Sequence, residues 1–184
     1  MELEEVIYAR RSVREYRSTP VPRDTLEVLI DAAIQAPSAM NEQSWRFCVV
    51  QDQDLLTRIS TAAKAHMLEA QPAAPDHLRT MLGDPNFHIF YHAPALVVIS
   101  NAGDGRWGAE NCAMAAQNLM LAACEAGLGT CWIGFAQSWL GTAAGRTALN
   151  LPADHTPVAP IIVGHPKTVA APVPRRPAEI RWIG

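Results

Sequence analysis

Three guanidinium groups and a hydroxyl crowd into five residues near the start of the chain, Arg10-Arg11-Ser12-Val13-Arg14. Planar guanidinium forks make paired, charge-assisted hydrogen bonds to phosphate oxygens, and a serine adds a short donor, so this run could hold a phosphate ester. Taken alone it reads first as a basic helix end, because positive charge is favourable where a helix C-terminus leaves its carbonyls open. The 184 residues carry a net charge of −3. An anion site therefore has to be a local cluster, and no overall field gathers nucleic acid or a membrane surface.

Two more segments could do chemistry. The stretch Pro37-Ser38-Ala39-Met40-Asn41-Glu42-Gln43-Ser44-Trp45 concentrates neutral polar groups able to satisfy the carbonyls of a ring or a polyhydroxy chain. It serves equally as a helix-to-strand connection whose Ser and Asn favour turns. In Gly127-Leu-Gly-Thr-Cys-Trp-Ile-Gly134, glycines flank a short apolar run. That lets a flat ligand come close to the backbone, and it is also what a tight turn needs.

Other chemistries find less support. Cys48, Cys112, Cys124 and Cys131 show no CxxC spacing, so they read as buried hydrophobes and no metal is expected. His88 and His92, four apart, would share a helix face, but no third ligand accompanies them and Pro85 and Pro94 bracket the segment. Gly103-Asp104-Gly105 lacks the following glycine of a dinucleotide-binding loop. No nucleophile paired with a base stands out.

The elements that must position these residues follow from periodicity. Leu3 to Ala9 reads as a short helix, and a second helix after Pro22 places Leu26, Leu29, Ile30, Ala33 and Ile34 on one face until Pro37. Trp45 to Val50 reads as a strand, about 55–67 as a helix, and the proline-bearing stretch 71–92 as a loop with a short helix. Ala95 to Ser100 is a buried strand. An alanine-crowded central helix runs from about 108 to 126, followed by a strand Thr130 to Phe135, a helix Trp139 to Leu149, a strand Pro160 to Gly164 and a proline-rich tail. Strands interspersed with helices imply an α+β or α/β sandwich around a small sheet. Composition, 49% hydrophobic and 18% charged, is that of a chain with a true core, and a single domain over 1–184 is expected. No apolar run is long enough to span a membrane. The acidic, amphipathic start lacks the basic and apolar regions of a signal peptide, so a cytoplasmic location is expected.

In their order and spacing these segments resemble the nitroreductase family. The resemblance rests on RRSVR at Arg10–Arg14, PSAMNEQSW at Pro37–Trp45, the alanine-rich helix leading into GLGTCWIGF at Gly127–Phe135, PIIVGHP at Pro160–Pro166 and PVPRRP at Pro172–Pro177. It spans nearly the whole chain. It implies an α+β fold, a nitroreductase-like three-layer α/β/α sandwich with a central, mostly antiparallel sheet, in an intertwined homodimer with FMN at the interface. By that likeness Arg10, Arg11 and Ser12 hold the FMN phosphate and ribityl end, and Arg14 lies near the pyrimidine edge. Pro37, Ser38, Met40, Asn41 and Gln43 come from the partner subunit. Cys131, Trp132, Ile133 and Gly134 line one face of the ring, with the amide of Ile133 or Gly134 in reach of flavin N5. Arg175, or Arg176 in its place, returns to the phosphate.

The resemblance implies no catalytic side chain, because the flavin carries the chemistry. NAD(P)H passes hydride to N5 and leaves, and a small acceptor such as a nitroaromatic or a quinone takes its place and is reduced. The same fold hosts dehalogenases, flavin-destroying oxygenases and dehydrogenases, and a non-catalytic flavin-binding protein is a further alternative. Ser44 stands where the family often has proline before the tryptophan. Residues 71–92 correspond to a variable lid, to which Phe87, His88, Phe90, Tyr91 and His92 contribute unless they serve packing. The chain ends soon after the last arginine, so the long C-terminal arm of larger members is expected to be absent.

Overall fold

Leu96, Val97, Val98 and Ile99 are all fully buried, so the strand that carries them is covered on both faces, as a continuous apolar run requires. The computed structural model describes residues 2–184. The strand is β2 (Ala95–Ala102), which pairs antiparallel with β1 (Trp45–Val50) on one side and with β4 (His155–Gly164) on the other. A short β3 (Gly129–Trp132) completes the sheet in the order β1-β2-β4-β3.

Alternate side chains feed two separate cores. Val97, Ile99, Ile161 and Val163 face one layer of helices, α2 (Arg23–Ile34) and α5 (Gly108–Glu125). Leu96, Val98, Cys131 and Ile162 face the other, α3 (Gln53–Ala70) and α6 (Gly134–Leu140). The result is an α+β three-layer sandwich with an antiparallel sheet, as expected. Ala115, Ala116 and Ala123 of α5 are fully buried, and such small side chains let the α5 axis lie close to its neighbours. The remaining helices are α1 (Leu3–Ala9), α4 (Asp76–Gly83) and α7 (Ala143–Ala148). Among the described residues no helix is long and apolar enough to cross a membrane.

Several boundaries depart from the expectation, each for a local reason. The strand expected over Thr130 to Phe135 stops at Trp132, because Gly134 opens α6. The single helix expected over Trp139 to Leu149 is two helices broken at Gly141 and Thr142, where the Thr142 hydroxyl accepts the Gly145 N–H at 3.1 Å and caps α7. β4 starts five residues before Pro160 and contains Pro157 as well. A shift in register opposite Ile99 and Ser100 admits this second proline, as bulges do. The proline-rich tail, residues 171–184, is exposed throughout and forms neither helix nor strand.

Candidate functional site

The arginine run leaves α1 and lies along β3. Arg10 is the C-cap residue, its N–H donating to the Val6 carbonyl at 2.9 Å. Ser12 then bridges Thr130 in parallel, and the Val13 N–H donates to the Thr130 carbonyl at 2.9 Å. This approach needs glycine at position 129, because a Cβ there would lie 2.8 Å from the Val13 side chain. Arg11 Nη1 turns back to the carbonyls of Tyr8 and Arg10, so for that nitrogen the helix-end reading holds. Arg11 Nε, however, is buried with no partner, an orphan donor beside the cleft.

That cleft, about 480 Å³, is lined by Arg10, Arg11, Arg17, Thr130 and Lys167 among others. Backbone bonds fix the two basic residues the sequence reading passed over. The Arg17 N–H donates to His165 at 2.9 Å and the Lys167 N–H to Glu15 at 3.0 Å. Their signal was pairing between two distant segments, which spacing along the chain does not reveal.

Next along the same two segments lies a second cavity of about 280 Å³, walled by Arg14, Tyr91, Cys131, Trp132, Ile133, Gly134 and Phe135. Cys131, Trp132, Ile133 and Gly134 thus come together with Arg14, as the sequence placed them. The two candidate amides part ways here. The Ile133 N–H donates to the Pro160 carbonyl at 2.8 Å, whereas Gly134 begins α6, where the first amides have no partner within the helix. A Cβ on Gly134 would meet nothing within 4 Å, so this backbone is open to a ligand. Burial pushes the Cys131 thiol up, against the pull of Arg14 and of the Ser12 hydroxyl bonded to it; it is a wall, not a nucleophile.

The stretch after α4 splits into packing and lining residues. Ile89 and Phe90 are fully buried, so Phe90 serves packing. The buried Lys64 holds the segment down, its Nζ donating to the carbonyls of Asp84 at 2.8 Å and Phe87 at 2.7 Å. Tyr91 lies at this second cavity with Arg14 over it, 6.0 Å from its centroid. His88 and His92 are not on a helix; turns bring their rings to 4.4 Å.

The loop 37–43 is held at a different place. Met40, Asn41 and Gln43 all have positive φ, at 51°, 55° and 47°, a left-handed conformation that costs non-glycine residues energy and collects at functional sites. Inside the loop the Gln43 N–H donates to Ser38 Oγ at 3.1 Å and Gln43 Nε2 to Asn41 Oδ1 at 2.9 Å. The pin is Asn111 on α5, 3% exposed: its Oδ1 accepts the Ala39 N–H at 2.9 Å and its Nδ2 donates to Glu42 at 3.1 Å. Ser44, the departure from the family pattern, is buried with its hydroxyl 3.5 Å from the same Nδ2. Sequence reading missed Asn111, though an amide on the apolar face of an alanine-rich helix is a usable signal. Pro37 and Met40 are exposed beside these bonds.

Asn111 sits in the first turn of α5, and Cys124, in its last turn, lines the arginine cleft. Thirteen residues of helix set these points roughly 20 Å apart. Within one chain the loop therefore does not reach the arginines. Arg175 and Arg176 lie on the exposed tail and are not among the cleft residues.

The description of the nitroreductase family matches residues 7–165. The chain belongs to the nitroreductase family. A nitroreductase with bound FMN from Bacteroides fragilis superimposes with a TM-score of 0.88 at 28% identity, over 100% of both chains. An NADH dehydrogenase from Thermus thermophilus is 46% identical over 63 residues, 33% of this chain and 31% of that protein. An iodotyrosine deiodinase from Haliscomenobacter hydrossis is 34% identical over 61 residues, 33% of this chain and 28% of that one. The match spans about a third of the length of the curated relatives it reaches.

Proposed function

We propose that this family member is an FMN-dependent oxidoreductase that works as a homodimer and passes hydride from NAD(P)H to a small acceptor such as a nitroaromatic or a quinone. The observation that supports the reading is a pair of cavities lined by neighbouring residues of the same two segments, 10–14 and 130–134. Arg10, Arg11 and Thr130 line a basic cleft, and Arg14 with Cys131–Gly134 line the apolar cavity beside it. A flavin mononucleotide has that division, a dianionic phosphate on a flat ring. The buried, unpaired Nε of Arg11 and the open backbone at Gly134 fit the two ends of such a ligand. When bound, FMN supplies the two-electron chemistry, accepting hydride at N5 and releasing it to the acceptor.

The chain's own residues bind and orient. Arg10, Arg11 and Ser12 hold the phosphate and ribityl end, joined by Arg175, or Arg176, from the tail. Arg14 places positive charge at the pyrimidine edge. The Gly134 N–H serves N5, since the amide of Ile133 is committed to the sheet. Pro37, Ser38, Met40, Asn41 and Gln43 come from a second copy, because α5 holds them at the far end from the arginines of their own chain. Leu3, Ile7 and Tyr8 on α1, Trp107 just before α5 and Met114 on it are exposed, apolar side chains that a second copy would cover.

Purified protein loaded with FMN should elute as a dimer, bleach anaerobically with NADH or NADPH, and regain its colour with a nitroaromatic or quinone. Protein that takes up no FMN at high cofactor concentration overturns the reading. A bound flavin that neither nicotinamide reduces favours reductive dehalogenation instead, the reading supported by the likeness to an iodotyrosine deiodinase.

A further inference from the structure

On the other side of Arg14 and Tyr91 from the ring cavity lies a further hollow of about 280 Å³, lined by Arg14, Glu15, Tyr16, Asn86, Phe87, His88, Tyr91, His92 and Lys167. The two hollows share Arg14 and Tyr91 as walls. We propose that this second hollow receives an oxyanion, a phosphate or a carboxylate, at the non-reacting end of the molecule whose other end meets the flavin. The inference rests on the flavin reading for what lies next door, and on this chain's own side chains for the rest.

The lining is built from donors. Arg14 and Lys167 carry positive charge, Asn86 offers an amide, and Glu15 is the one carboxylate among the lining residues. His88 has a fixed tautomer: its Nδ1 accepts the Phe90 N–H at 3.2 Å, so the ring proton sits on Nε2. Among the described residues no hydrogen bond closes on that Nε2. Burial, His92 and the Lys64 ammonium behind it keep the His88 ring neutral, with a pKa of about 4, so it presents one N–H donor near neutral pH. The His92 ring lies 4.4 Å away, tilted by 36°.

The backbone is bent to place these groups. Tyr91 and His92 are consecutive residues with positive φ, 51° and 52°; histidine enters the left-handed region more often than most side chains, but a bulky tyrosine there is uncommon. Such conformations cost on the order of 1–3 kcal/mol each and collect at ligand sites. His92 is exposed, so core packing gives no reason for its share of the strain. Tyr91 thereby walls both hollows, whereas His92 lines only the second. An anion held there would be oriented by several charge-assisted bonds while a neutral, flat end reached the ring.

The test has two parts. In the first, inorganic phosphate is titrated into the protein while the imidazole signals of His88 and His92 are followed by NMR, with and without FMN. Both signals should move together and saturate, and His92→Asn, which tolerates the left-handed backbone, or Asn86→Ala should weaken the response. No saturable shift in the unaltered protein, with flavin or without, overturns the proposal independently of whether the flavin reading stands. In the second, KM is compared for charged and uncharged pairs: NADH or NADPH against a phosphate-free N-alkyl dihydronicotinamide, and p-nitrobenzoate against nitrobenzene.

Both variants should raise KM roughly ten-fold for one charged member, as loss of a bond to a charged group does, with the uncharged partner and FMN affinity nearly unchanged. A selective effect on the nicotinamide pair identifies the phosphates of the donor, and one on the nitro pair a carboxylate acceptor. Equal changes in the charged and uncharged members, or none in any, overturn it.

Discussion

The two ends of α5 hold polar segments by opposite means. At its start, loop 37–43 is tied by side-chain hydrogen bonds to the buried Asn111, and three of its residues adopt left-handed conformations. At its end, the arginine run is held by backbone pairing with Thr130 and by the missing side chain of Gly129; Arg11 Nη1 bonds the carbonyls of Tyr8 and Arg10, and Arg11 Nε is left unpaired. One segment ties its polar groups to a helix, and the other is fixed by its backbone. Under the proposed function these are two half-sites some 20 Å apart in one chain, and a second copy would bring unlike halves together.

That comparison is most sharply broken by mixing variants. Arg10→Ala damages only the arginine half and Asn111→Ala only the loop half, so each homodimer should lose tight FMN binding. Refolding the two together should restore one tight site in each mixed dimer, measured by flavin fluorescence; no recovery would mean the halves serve separate sites. Gly129→Val should come next, at about 3 kcal/mol of stability in urea unfolding, because its side chain drives into Val13. FMN affinity should fall with it. Asn111→Ala should cost about 2 kcal/mol, since the buried Ala39 N–H loses its acceptor. Arg10→Ala should leave the urea midpoint near that of the parent while weakening FMN roughly ten-fold or more.

The smallest effect concerns pH. In the folded protein the His88 pKa is lowered from 6.5 to about 4 by burial, with His92 and Lys64 adding to it. As pH falls below 6.5 the unfolded chain takes up this proton first, so the stability held by neutral His88 is full above that value and is lost on the way down to about 4. For a partly exposed ring the loss is about 1 kcal/mol. Urea unfolding across that window should show it in the parent and not in His88→Gln.

Patterns that live in one short stretch were legible in advance. The buried β2 and the alanine-rich α5 have a composition or period that admits few readings, whereas Arg10–Arg14, the loop before Trp45 and Cys131–Gly134 each left two readings open and gained a common one only from the family resemblance. Most of what failed was set by partners distant in the chain. β3 ends at Trp132 because α6 starts at Gly134, whereas Pro157 in β4 is accommodated by a register shift against β2. Lys167 and Arg17 reach the cleft only because two segments pair. The orphan Nε of Arg11 and the choice of the Gly134 amide over that of Ile133 likewise rest on which groups the sheet had already claimed.

The amino-acid order by itself determined that the chain folds around a doubly covered sheet and carries a cluster of guanidiniums and a glycine-flanked apolar run, because hydrophobic period, glycine and clustered charge act locally. Only the tertiary structure decided which donors stay free, that His88 and His92 meet without a helix, and that the loop and the arginines are kept apart. Hydrogen bonding is a competition among all neighbours, and the winners are known only when every neighbour is in place.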